Sequence, residues 1–179
     1  MMRQVHMSST AAVTCIALTA VFLMMLVESQ LSRFNERTLR ARGATEPADD
    51  VYPTMTWVYP GCFVAMGIEG ILFGPAPGSS TLLGVALFGM AKALKFWAIA
   101  TLGPRWTFRV LVPPGAPLVT GGPYAWVRHP NYLAVIGEFV SFAILVGAPL
   151  TGLGSVIGFG ALLRRRIRVE ERALGIAKP

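Results

Sequence analysis

The sequence predicts an all-α integral membrane protein with about five transmembrane helices, the last two forming a helical hairpin. Three observations predict it. The 179 residues are 54% hydrophobic and only 14% charged, whereas soluble domains carry roughly 25% charged residues. The apolar residues gather into runs on the scale of a bilayer crossing. The basic residues fall in alternate connections between those runs, as the positive-inside rule requires.

The elements follow in order. The first run, Ser8 to Val27, has 20 residues, enough to cross the roughly 30 Å of hydrocarbon. No clean cleavage site follows Thr19-Ala20, so a retained span is expected rather than a removed signal peptide. Ser29–Arg42 is basic with Leu31, Phe34 and Leu39 interleaved, and is expected to lie along the membrane interface. Ala44–Tyr52 is acidic, carries Pro47 and reads as a loop. The second run is Met55–Phe73, and the third is Leu82–Leu102, interrupted by Lys92 and Lys95. Leu133–Leu163 is too long for one ordinary span. Gly147-Ala148-Pro149 reads as a turn that splits it into arms of 14 residues, Leu133–Val146 and Leu150–Leu163. Arms that short leave a tilted or partly re-entrant hairpin open. Arg164–Ala173 continues helically beyond the last span. One domain, residues 1–179, is expected, without internal repeats. Cys15 and Cys62 lie in apolar runs without ligand spacing and read as packing residues.

The net charge is +7, and its distribution sets the expected orientation. Arg33, Arg37, Arg40 and Arg42 precede the second span. Arg105, Arg109 and Arg128 lie between the third and fourth. Arg164, Arg165, Arg166, Arg168, Arg172 and Lys178 follow the fifth. These are thirteen of the sixteen lysines and arginines. Arg3 alone lies on the other side. The N-terminus is therefore expected outside and the C-terminus in the cytosol. This asymmetry accounts for the basic balance without nucleic acid.

The chemistry is concentrated in Gly121-Gly122-Pro123-Tyr124-Ala125-Trp126-Val127-Arg128-His129-Pro130-Asn131-Tyr132. Two glycines and two prolines deny this run a continuous helix. Irregular backbone at a membrane boundary survives only where it is buried in protein or lines a wet cavity. Downstream, Arg166 and Glu170 are one helical turn apart. They form either an ordinary ion pair or a site in which Arg166 grips an anionic group and Glu170 receives a cationic or hydroxyl-bearing ligand. Glu138 falls inside the fourth span, where an acid is a functional candidate by default. Lining a site and pairing with Lys92 or Lys95 both stay open for it. Glu69, near the outer end of its span, is expected to reach water. Trp106, between Arg105 and Arg109, reads as an interfacial anchor or part of a substrate entrance. G-x-S-x-G, H-E-x-x-H and P-loop motifs are absent, and Gly67-Ile68-Glu69-Gly70 lacks the context of a dinucleotide fingerprint. No metal site is expected.

Pro117-Leu118-Val119-Thr120-Gly121-Gly122-Pro123-Tyr124, with Arg128-His129-Pro130-Asn131-Tyr132 and Arg166…Glu170-Glu171, resembles the signature of the isoprenylcysteine carboxyl methyltransferase family. The resemblance covers about residues 102–174. Glu28-Ser29, Arg33-Phe34-Asn35-Glu36 and Ala41–Ala44 resemble a bacterial branch associated with O-methylation of lipid-tailed pyrones or phenols. The resemblance implies a cytosolic pocket for S-adenosylmethionine without a Rossmann domain. It implies that Leu118, Val119, Tyr124, His129, Pro130, Asn131, Tyr132 and Glu170 bind the cofactor. Arg166 would orient the acceptor oxygen, and His129 would be the local base if a phenol or enol must lose a proton. Glu138 and Trp106 are candidates for the acceptor, a lipophilic or prenylated molecule drawn from the bilayer. Ala116 stands where some relatives carry His. Membrane sterol reductases, which use NADPH, look similar around His-Pro-x-Tyr. They and a non-catalytic membrane protein are the alternatives.

Overall fold

A computed structural model describes residues 2–75 and 77–176, with side chains from residue 9 onward. Lys178 and the side chains of Arg3 and His6 lie outside the described residues. Among the described residues, five α-helices make up the fold: α1 Met2–Ala41, α2 Tyr52–Phe73, α3 Ser79–Leu102, α4 Pro130–Val146 and α5 Pro149–Ala173. Among the described residues there is no strand, only an isolated antiparallel bridge between Thr45 and Val112. Residues 9–41, 52–73 and 79–105 are helical stretches long and apolar enough to cross a membrane. Helix α4 is apolar but has only 17 residues, and α5 ends in the arginine-rich segment.

The expected interfacial helix is not separate. Ser29–Arg42 continues α1 without a break, so one 40-residue helix runs about 60 Å at 1.5 Å per residue. The reason is a single buried stripe. Thr14, Val21, Glu28, Ser32, Asn35 and Leu39 are all buried, at separations of three, four and seven that keep them on one face. Bending the helix onto the membrane surface would pull the last four from their partners.

The hairpin turns at Gly147, whose φ of +70° is a left-handed conformation that glycine adopts without steric cost. Pro149 then starts α5 where a missing N–H is harmless. Glu69 corrects an expectation here. It does not reach water but caps α5, accepting from Leu150 N (3.0 Å), Thr151 N (2.6 Å) and Thr151 Oγ1 (2.5 Å). A carboxylate at a helix N-terminus meets unpaired N–H groups and the positive end of the helix dipole. Cys15 is exposed and Cys62 half-buried, so Cys15 is not the interior packing residue expected.

An aromatic core ties the bundle together. Phe63, Phe139 and Phe142 are fully buried, with Met66, Val146 and Phe159 around them. The Phe63 ring lies 5.0 Å from Phe142 and 5.1 Å from Phe139, within the range of favourable aromatic pairs. Helices α3 and α4 approach closely at Gly84, where a methyl group would sit 2.5 Å from the Leu145 backbone.

Candidate functional site

A continuous cavity of about 810 Å³ runs through the arginine-rich half of the bundle, within the size range of small-molecule sites. One end is mostly apolar, lined by Phe22, Met25 and Leu26 of α1, Met55 of α2 and Phe159 of α5, with Tyr59 and Lys95 also on its wall. The other end is polar, lined by Tyr124, His129, Asn131, Tyr132 and Glu170. The segment between α3 and α4 forms part of the wall.

That segment is pinned by α1 and by the loop before α2. Ser32 Oγ accepts from Phe108 N at 2.8 Å, and Asn35 Nδ2 donates to Trp106 O at 2.8 Å. Asp50 Oδ2 accepts from Val110 N at 2.9 Å, while Oδ1 accepts from Tyr52 N at 3.0 Å. Arg109 reaches Glu46 at 2.6 Å and lies 4.7 Å over the Tyr52 ring. Burial works against the Glu46 carboxylate, yet hydrogen bonds and charge from Arg109 and Arg40 outweigh it and hold its pKa below the usual value.

The Gly-Gly-Pro turn has a steric basis. Gly122 has φ +55°, and a Cβ there would lie 2.5 Å from Thr101 Oγ1. Only glycine satisfies both constraints. A short 3-10 turn, Gly122–Ala125, carries Tyr124 into the cavity wall. Burial, with Glu170 adding to it, pushes the Tyr124 phenol well above its ordinary pKa, so it stays a neutral hydroxyl. His129 precedes the first turn of α4 and stacks on Tyr132 at 5.3 Å. Its Nε2 lies 3.3 Å from Glu171 and its Nδ1 4.0 Å from Glu170.

Arg166 is buried and fully oriented. Its Nε donates to the Tyr132 hydroxyl at 2.8 Å, and NH1 to Asp50 at 3.2 Å. NH2 donates to the Phe108 carbonyl. Of five guanidinium N–H groups, these bonds use three and leave two for a ligand. The ordinary Arg166–Glu170 ion pair is not what forms. Tyr132 stands between the two, donating its own proton to Glu170 Oε2 at 2.5 Å.

Leu118, Val119, Trp106 and Arg166 also line the cavity, so most of the residues singled out in the sequence share one space. Two do not. Pro130 is buried as the first residue of α4, where its ring starts the helix. Glu138 is not on the cavity wall. It is fully buried and pairs with Lys92 at 2.9 Å and Lys95 at 3.3 Å, so pairing rather than site lining describes it. The sequence reading missed Asp50 and Tyr59. The Asp49-Asp50 pair just before Tyr52-Pro53 was the available signal, since an acid ahead of a helix start is a capping position. Tyr59 has no comparable signal within its apolar run.

Asn131 tests whether the polar end suits S-adenosylmethionine. Its Oδ1 is buried without a hydrogen-bond partner, a costly state that a donor-bearing ligand would relieve. The cofactor brings amine, ammonium and hydroxyl donors, and Asn131 and Glu170 are acceptors at the same end. The donor set fits.

The long apolar helices and the cavity among them define an integral membrane protein with a space of small-molecule size. The sequence model of the Isoprenylcysteine carboxyl methyltransferase (ICMT) family matches residues 82–176, and the chain belongs to this family of membrane methyltransferases. It is 35% identical over 148 residues to the uncharacterized protein YpbQ of Bacillus subtilis (strain 168), covering 82% of this chain and 88% of that protein. It is 24% identical over 160 residues to an uncharacterized protein of Haemophilus influenzae, covering 89% and 93%. No solved structure matches the chain.

Proposed function

We propose that this single-domain protein is an S-adenosylmethionine-dependent O-methyltransferase acting on a lipophilic acceptor. The observation that carries this reading is the continuity of the cavity. One space joins an apolar end, suited to a lipid tail, to a polar end with an unpartnered Asn131 acceptor and a buried arginine. Five spans with the N-terminus outside and the polar end in the cytosol agree with the charge distribution.

In this reading Asn131, Tyr124 and Glu170 hold the cofactor, with His129 and Tyr132 stacked beside it. S-adenosylmethionine supplies a methyl group already activated by its sulfonium. The protein's work is to orient and to exclude water. Arg166 presents its two free N–H groups to the acceptor oxygen. Its geometry is set by Asp50, Tyr132 and Phe108, so little side-chain freedom is lost on binding. A carboxylate acceptor is ionised at neutral pH and needs no base. For a phenol or enol, His129 receives the proton, with Glu171 beside it.

Calorimetry on detergent-purified protein tests the reading, with S-adenosylmethionine and NADPH titrated separately. Saturable binding of S-adenosylmethionine is expected. Its absence, or preferential binding of NADPH, overturns the proposal.

A further inference from the structure

Four charged side chains meet where α1, α3 and α4 pack: Glu28, Lys92, Lys95 and Glu138. Lys92 Nζ lies 2.9 Å from both Glu28 and Glu138. Lys95 Nζ lies 2.7 Å from Glu28 and 3.3 Å from Glu138. The Tyr59 hydroxyl of α2 donates to Glu138. The group is electrically balanced and buried, which is more than stability requires. Replacing buried ion pairs by apolar residues is often neutral or stabilising.

The cavity touches this cluster through two of its members, Lys95 and Tyr59. Lys95 has three donors. Its ammonium lies in ion-pair range of both carboxylates, and its hydrogen bond goes to the Tyr59 oxygen at 3.4 Å, long for an N–H···O bond. A ligand hydroxyl placed between the two would accept from Lys95 and donate to the Tyr59 oxygen, whose own proton goes to Glu138. The depth follows from the helices. The Tyr59 ring packs 5.5 Å from Phe159, and Phe159 precedes Arg166 by seven residues of α5, about 10 Å at 1.5 Å per residue.

Resting on the methyltransferase reading, we propose that Lys95 and Tyr59 form a second polar subsite for the acceptor. It binds an oxygen at the level of Phe159, about two helical turns from the level of Arg166. The acceptor class is then a lipophile with two separated oxygen functions. A plain hydrocarbon tail would lie against a buried ammonium whose hydrogen bond to Tyr59 is long. This favours oxygenated lipids over prenylated cysteine.

The test uses a long-chain phenol with an unsubstituted alkyl tail and a set of analogues carrying a single hydroxyl at successive tail carbons. Binding is read from quenching of tryptophan fluorescence, Trp106 lining the cavity, and methyl transfer from radiolabelled S-adenosylmethionine is read separately. The wild type should bind the best-placed hydroxylated phenol about tenfold more tightly than the plain one, the scale of one charge-assisted hydrogen bond. Tyr59→Phe and Lys95→Met should reduce that preference to about twofold or less, with the calorimetric affinity for S-adenosylmethionine unchanged in Tyr59→Phe. Because Lys95→Met leaves two carboxylates with one lysine, Tyr59→Phe is the variant that decides if Lys95→Met does not fold. Equal binding of all phenols to the wild type, or a preference that survives Tyr59→Phe, overturns the subsite. A preference that behaves as expected without methyl transfer overturns the methyltransferase reading and leaves the subsite standing.

Discussion

Tyr132 separates Arg166 from Glu170 although the two lie one turn apart on α5. Its hydroxyl accepts from Arg166 Nε at 2.8 Å and donates to Glu170 at 2.5 Å. Tyr132→Phe therefore leaves a buried Arg166 donor unpaired, at a cost of about 1–3 kcal/mol. A lower thermal midpoint in detergent and slower methyl transfer are expected together. Unchanged values of both would contradict the bridging role.

Arg166 and Glu170 should fail differently. Arg166→Ala should slow acceptor methylation more than it weakens S-adenosylmethionine binding, while Glu170→Ala should weaken the cofactor itself. Arg166→Lys should not restore activity, because one ammonium cannot reproduce the planar fork that meets Tyr132, Asp50 and Phe108. Steady-state kinetics beside calorimetry separates the cases, and the reverse pattern refutes the roles.

Asn131→Ala should leave the thermal midpoint of the ligand-free protein unchanged or slightly raised. The buried Oδ1 it removes has no partner to lose. The same variant should weaken cofactor binding by about tenfold. A stability loss without an affinity loss would make Asn131 a structural residue.

Glu46 gives a pH dependence. Its pKa is lowered in the folded state, so its contribution is complete above the ordinary glutamate value of 4.5 and lost as pH falls through the lower folded value. The thermal midpoints of the wild type and Glu46→Gln should differ at pH 7 and converge as the pH falls below the lowered folded-state pKa of Glu46. A gap that widens on acidification would reverse the sign.

Gly84→Ala should separate α3 from α4, since the added methyl would lie 2.5 Å from the Leu145 backbone. Overpacking of this kind costs about 1–3 kcal/mol, whereas Gly89→Ala, with open space around it, should cost nothing measurable by thermal unfolding.

The elements legible in the sequence were those written by local pattern. Apolar runs gave the helices, Gly147 and Pro149 gave the hairpin turn, and the polar run from Gly121 to Tyr132 gave one end of the cavity. Long-range pairing was not legible. Glu69 looked like an acid bound for water because nothing local says that Thr151 lies beside it. Asp50 looked like a loop residue because its partner Arg166 is 116 positions away. Ser29–Arg42 looked interfacial because its exposed Leu31 and Phe34 mask the buried stripe through Ser32, Asn35 and Leu39. Glu138 could be paired with Lys92 and Lys95 from sequence, but Glu28 and Tyr59 needed the three-dimensional packing.

The unbroken α1 couples two depths of the molecule. Glu28 is locked to Lys92 and Lys95, and Ser32 and Asn35, one and two turns on, hold the segment that positions Phe108 against Arg166. A helix this long accommodates a thicker or thinner bilayer by tilting, and a tilt at Glu28 is also a displacement of Phe108. The acyl-chain length of the host lipid should thus tune turnover, making the protein responsive to the thickness of the membrane in which it works.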